Sequence, residues 1–178
     1  MSKGMLEMTL REFLVQVSDR RSHIGGGAVG GYVGALGAAL GAMIHEDREF
    51  LLKAQKALLT LAEEDAKAYK AVILAKRMPA ESDWAHAGKR EAIENALRRA
   101  VETPLMQARA CIEILEDLRL HPPTSLFQGD EEIAQGLVIL CARGALENAR
   151  INLNELKEEL LLDELMELTQ TLEELSHG

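Results

Sequence analysis

The sequence predicts an all-α protein, a multihelical bundle built around one buried glycine-rich helix. Three observations carry that prediction. Leu, Ala and Glu are abundant, aromatic residues make up 3% of the chain and β-branched residues are few, a balance that favours helix over sheet. Apolar residues recur every three or four positions through most of the 178 residues. The stretch 24–44 carries no charge and is mostly Gly and Ala, with GxxxG pairs at Gly30/Gly34 and Gly37/Gly41. The length suits one domain, taken as 1–178.

The elements follow in order. Thr9-Leu10-Arg11-Glu12 is a capping box, with Met8 and Phe13 placed as a hydrophobic staple. It opens a helix whose apolar face is Leu10, Phe13, Leu14 and Val17 and which is expected to end near Arg21. Ser22 to Gly27 reads as the loop into the glycine-rich helix. After Ile44, His45-Glu46-Asp47-Arg48-Glu49 holds no Pro or Gly, so the next helix is either continuous with it or separated by a small kink. Leu58, Leu61, Ala62, Asp65, Tyr69 and Val72 form its interior stripe.

Met78 to Ala87, with Pro79, reads as a loop, and a helix with Arg90, Ile93 and Leu97 on one face follows. Pro104 is expected to interrupt that helix and start another, carrying Leu105, Ala108, Ile112 and Leu115. His121-Pro122-Pro123-Thr124-Ser125 is a break. Asp130 is placed to cap the following helix, whose stripe is Ala134, Leu137, Cys141, Gly144, Asn148 and Asn152. The last helix carries Leu161, Leu165, Leu168, Leu172 and Leu175 at heptad spacing, a pattern of bundle or dimer packing.

Charge and composition narrow the function. A net charge of −9 without a basic cluster argues against nucleic acid. Cys111 and Cys141 lack CxxC spacing and read as reduced, buried, small apolar residues. With no signal-peptide pattern, the cytoplasm is the expected compartment. The uncharged stretch raises a membrane span, but its Gly and Ala content and triple-glycine start favour a core helix and no membrane. The five histidines are scattered, none at ligand spacing, so no metal is expected.

Several polar groups sit on apolar stripes. Asp65 is in line with Leu58, Leu61 and Tyr69, where desolvation would raise its pKa and poise it as an acid or base; a hydrogen-bonded structural carboxylate is the plain alternative. Glu64 is at the stripe's edge, where a solvated acid is the simpler reading. Arg90 would pair an inward carboxylate or bind an anion. Asn148 and Asn152, one turn apart, need partners, either another helix or a polar ligand. Gly25, Gly26 and Gly27 offer unpaired N–H groups at a helix start, or simply a tight turn into a crowded core.

Taken in order, GGGAV at 25–29, EEDAKAY at 63–69, REAI at 90–93, TPL at 103–105, GD at 129–130 and GALENARINL at 144–153 resemble the formiminotransferase-cyclodeaminase (cyclodeaminase/cyclohydrolase) family of folate enzymes. The resemblance implies an all-α homodimer with a folate cleft and no metal or redox cofactor. It implies formiminotetrahydrofolate cyclodeaminase or 5,10-methenyltetrahydrofolate cyclohydrolase chemistry, a tetrahydrofolate derivative being the substrate. Asp65 and then Asp130 are the acid/base candidates, and Glu64, Arg90, Asn148, Asn152 and the glycine loop would position folate. A non-catalytic homologue, acting as a ligand-binding or dimeric interaction module, is the alternative. One check limits the set: if 130 to 152 is one helix, Asp130 lies about 27 Å from Asn148 at ~1.5 Å per residue. The chain also departs from the family pattern. Ile24 and Ala28 replace a proline and a serine flanking the glycines, Glu94 replaces a glutamine, and a lysine-rich segment after the glycine-rich helix is missing. Arg48, Lys53 or Lys56 are the candidates to replace those lysines at a glutamate tail.

Overall fold

The structure is a computed structural model that describes residues 4–22, 24–46, 48–123 and 125–177. His23, read above as loop, Asp47, read as continuous helix or a small kink, and Thr124, read as part of a break, lie outside the described set. The described residues form six α-helices and two short 3-10 turns, with no strand among them.

Helix α1 spans Leu10–Ser18. Its capping box forms as expected: the Thr9 hydroxyl accepts from the Glu12 N–H (3.2 Å) and the Glu12 carboxylate accepts from the Thr9 N–H (2.7 Å). It ends earlier than expected, because the Asp19 carboxylate accepts from the Arg21 N–H and turns the chain. Its apolar face is turned mostly to solvent. Leu10, Leu14 and Val17 are exposed, and Phe13 alone stacks, against Tyr32 with ring centroids 4.8 Å apart.

Helix α2, Gly26–Ile44, is the glycine-rich helix, and ten of its residues are buried. It lies against α3 (Glu49–Lys76) and α5 (Gln128–Leu156). Its glycines let those neighbours in. A Cβ at Gly34 would sit 2.8 Å from Cys141 Sγ, and one at Gly37 would sit 2.8 Å from the Ala134 carbonyl oxygen. By length and composition α2 could cross a membrane, but 56% of its apolar window is buried inside the fold. Between α2 and α3 the backbone is extended at His45, so the chain reverses and α3 packs alongside α2 instead of continuing it.

Helix α4 runs unbroken from Asp83 to Leu120. It starts inside the segment expected to be loop, where the Ser82 hydroxyl accepts from the Ala85 N–H. It also passes straight through Pro104, correcting the expected break. Proline removes the bond that would reach the carbonyl of Ala100. That carbonyl instead accepts from the Asn152 side-chain amide of α5 at 3.0 Å. The long helix survives because a neighbour replaces its missing donor.

Helix α5 begins after a 3-10 turn, Ser125–Phe127. Phe127 is its N-cap and makes no side-chain cap bond, so Asp130 sits in the first turn and does not cap the helix. Gly144, expected inward, is exposed, while Ala134, Cys141, Ala145 and Ala149 face the core. Lys157, with φ 57° and ψ 45°, ends α5 in the left-handed conformation, its N–H bonding the Leu153 carbonyl. Helix α6, Glu159–His177, then folds back on α4 and α5. Leu165 and Leu172 are buried, and Leu161, Leu168 and Leu175 pack on the core, so the heptad stripe is spent within the bundle.

Candidate functional site

The N-terminus of α2, the C-terminal half of α3 and the C-terminal half of α5 enclose a cleft of about 440 Å³. Gly25, Gly26 and Gly27 form one wall, Asp65, Tyr69, Val72, Ile73 and Lys76 of α3 a second, and Asn148, Asn152 and Glu155 of α5 a third, with Ala100 of α4 between.

The cleft follows from the helix starting on glycine. The first N–H groups of a helix have no partner within it, and Gly25 has no side chain to cap them. Asp65 supplies the cap from α3. Its carboxylate accepts from the Ala28 N–H and lies so close to Gly27 that a Cβ there would come within 2.4–2.5 Å of the carboxylate atoms. No larger residue fits at position 27 without moving Asp65. Burial pushes the Asp65 carboxyl above its ordinary range, and the Ala28 hydrogen bond opposes that shift only in part. Asp65 is therefore a partly buried carboxyl with raised proton affinity at the electropositive end of a helix.

The asparagines divide their work. Asn152 uses its amide N–H₂ on two carbonyls, those of Ala100 (3.0 Å) and Asn148 (2.9 Å), so its donors are structural. The Asn148 amide makes no hydrogen bond among the described residues, and it lines the cleft. At the far end, the Lys76 ammonium donates to the Glu155 carboxylate at 2.6 Å.

The structure thus gathers Gly25, Gly26, Gly27, Asp65, Asn148 and Asn152 into one cleft. It does not bring in Glu64, Arg90 or Asp130. Glu64 and Arg90 are exposed, and Asp130 lies on the same unbroken α5 as Asn148, some 27 Å away at ~1.5 Å per residue. Arg48, Lys53 and Lys56 are likewise outside the cleft, and Lys53 pairs with Glu49. Tyr69, expected in the interior, is half exposed on the cleft wall. Tyr69, Lys76 and Glu155 were missed as site residues. The signal for two of them was their spacing from Asp65, four and eleven residues along one face of α3. A larger groove of about 980 Å³ between the end of α5 and α6 contains none of the candidate residues. Among the described residues no three His, Cys, Asp or Glu side chains converge as a metal site would require.

A family model described as Formiminotransferase-cyclodeaminase matches residues 9–171. Formimidoyltransferase-cyclodeaminase of Gallus gallus is 25% identical over 99% of this chain and 36% of its own length. Its Mus musculus counterpart is 27% identical over 89% of this chain and 33% of its own length. The chain thus spans about a third of these curated relatives. A crystal structure of formiminotetrahydrofolate cyclodeaminase from Thermotoga maritima superposes with a TM-score of 0.80 at 27% identity, covering 96% of this chain and 92% of that one. The chain belongs to the formiminotransferase-cyclodeaminase family, as its cyclodeaminase domain.

Proposed function

We propose, from that membership, that the chain is a folate one-carbon enzyme of cyclodeaminase or methenyltetrahydrofolate cyclohydrolase type, with Asp65 as its acid/base residue. The observation that carries this is Asp65 itself: a carboxyl with raised pKa on the wall of a cleft that Asn148 also lines, the Asn148 amide making no hydrogen bond among the described residues. Ring closure of a formimino group expels ammonia. N10 adds to the formimino carbon and its proton passes to the formimino nitrogen, neutral Asp65 gives that nitrogen a second proton, and the bond from the carbon to the nitrogen breaks to release ammonia and leave the methenyl cation. In the hydrolytic direction the ionised carboxylate takes the proton of a water that adds to the cationic methenyl carbon and offsets that carbon's charge. Asn148 and the N–H groups at Gly26 and Gly27 orient the pterin. Asp130 would enter the chemistry only from a second subunit.

A second reading has its own support. Asp65 caps α2 and the Asn152 donors serve the backbone, so these residues have structural uses, while Arg90 and Asp130 stand outside the cleft. A ligand-binding or dimeric interaction module would keep the first two for folding alone. The homodimer is part of either reading. The outer side of α2, with Leu36 and Met43 exposed, half-buried Leu40 between them and half-buried Val33 one turn before Leu36, supports it. Cys111 and Cys141, both free and buried, support a cytoplasmic setting.

Purified protein incubated with 5,10-methenyltetrahydrofolate should speed the loss of its absorbance, or form it from 5-formiminotetrahydrofolate. If neither rate exceeds the spontaneous one while folate still binds by calorimetry, the non-catalytic reading takes over. No binding at all would remove the folate reading.

A further inference from the structure

Among the described residues one cation lines the cleft. Lys76 lies eleven residues beyond Asp65 on the same side of α3, which at ~1.5 Å per residue puts it about 16 Å along the axis. Its ammonium bonds Glu155 at 2.6 Å, with both side chains about half exposed. Between these ends the walls carry no charge: Tyr69, Val72 and Ile73 face Asn148 and Asn152. The cleft therefore has an acid at one end, a long uncharged middle and an ion pair at the other.

We propose that Lys76 anchors the terminal carboxylate of the bound ligand, and that Glu155 restricts the cleft to ligands with a short acidic tail. The favoured substrate is then a tetrahydrofolate carrying a single glutamate, not a polyglutamate. This rests on the folate reading of the cleft. A ligand with its heterocycle at Asp65 and an aryl ring along the uncharged walls delivers its tail to Lys76. An exposed ion pair is held weakly, so a ligand carboxylate can replace Glu155 as the partner of Lys76. The next carboxylate along a polyglutamate tail finds no second cation among the described residues lining the cleft. It meets instead the displaced Glu155, on a chain whose net charge is −9. Along the cleft, each added glutamate brings like-charge repulsion without a new pair. If the Lys76–Glu155 pair merely tied α3 to α5, its loss would change stability without regard to tail length.

Calorimetric titration of the full chain with 5-formyltetrahydrofolate bearing one glutamate, and with the same compound bearing five, separates these. Wild type should bind the monoglutamate at least as tightly as the pentaglutamate. Lys76→Met should weaken the monoglutamate by about tenfold, the loss of one charge-assisted pair. Glu155→Gln should favour the pentaglutamate by about fivefold relative to wild type, at unchanged Tm. A wild type that prefers the pentaglutamate, or a Lys76→Met chain that binds the monoglutamate normally, overturns the proposal while leaving the folate reading intact. A wild type that binds neither compound overturns both.

Discussion

Asp65 is pulled in two directions. The start of α2 presents N–H groups that favour its ionised form, while burial favours the neutral one and prevails. The consequence for stability has a definite sign. A carboxyl whose folded pKa lies above its unfolded value of 3.8 is protonated more readily in the folded state. Folding stability therefore falls as pH rises from the unfolded pKa through the folded one, and the penalty is complete above that. Asp65→Asn keeps an oxygen for the Ala28 N–H and removes the titration. Urea denaturation across pH should show the variant gaining on wild type as pH rises above about 4. A constant difference would mean the carboxyl is not perturbed in the fold. Gly27→Ala tests the same contact from the other side. Its Cβ would meet the carboxylate at 2.4–2.5 Å, so a loss of about 1–3 kcal/mol is expected, measured by denaturant unfolding. The inward position of Asp65 was legible from its spacing to Leu58 and Leu61. Its bond to Ala28 was not, since it exists only once α2 and α3 are packed. Lys76 could be placed on the face of Asp65 by spacing alone, but Glu155 could not, because nothing local says which face of α5 borders a cleft.

The helices show where local rules hold and where they yield. Thr9 and Glu12 form their capping box because both partners lie within one turn. Pro104 carries an equally strong local signal, yet α4 continues through it. The deciding residue, Asn152, is 48 positions away and invisible to any window around Pro104. This link predicts non-additivity. Asn152→Ala should cost about 1–3 kcal/mol by leaving the partly buried Ala100 carbonyl without its donor. In a Pro104→Ala background the helix supplies its own N–H to that carbonyl, so most of the cost should vanish. Chemical denaturation of the four chains of this cycle measures the coupling, and additive effects would refute the account of α4. Asp130 failed as a cap for a related reason. The turn Ser125–Phe127 moves the start of α5 forward, leaving Asp130 to interact with the helix dipole within the first turn.

At the scale of the molecule, the all-α bundle with α2 buried in it was legible because its small residues must lie where backbones approach, and they do at Gly31 and Gly37. What composition alone did not reveal is that α2 has two uses. Its inner side packs the core and its start shapes the cleft, while Leu36 and Met43 remain exposed on the outer side. If that side joins two copies, Leu36→Glu with Met43→Glu should convert a dimer to a monomer in light scattering. An already monomeric wild type at micromolar concentration would remove the α2 interface. The sequence-flagged residues that meet in the cleft do so from three helices far apart in the chain, and only Asp65 among them has the chemistry of an acid or base. The most direct test of the central claim is therefore the rate at which wild type and Asp65→Asn convert 5,10-methenyltetrahydrofolate, side by side at neutral pH. Loss of general acid–base catalysis predicts a fall of about 100-fold or more with the fold intact by circular dichroism. An Asp65→Asn chain as active as wild type would contradict the account.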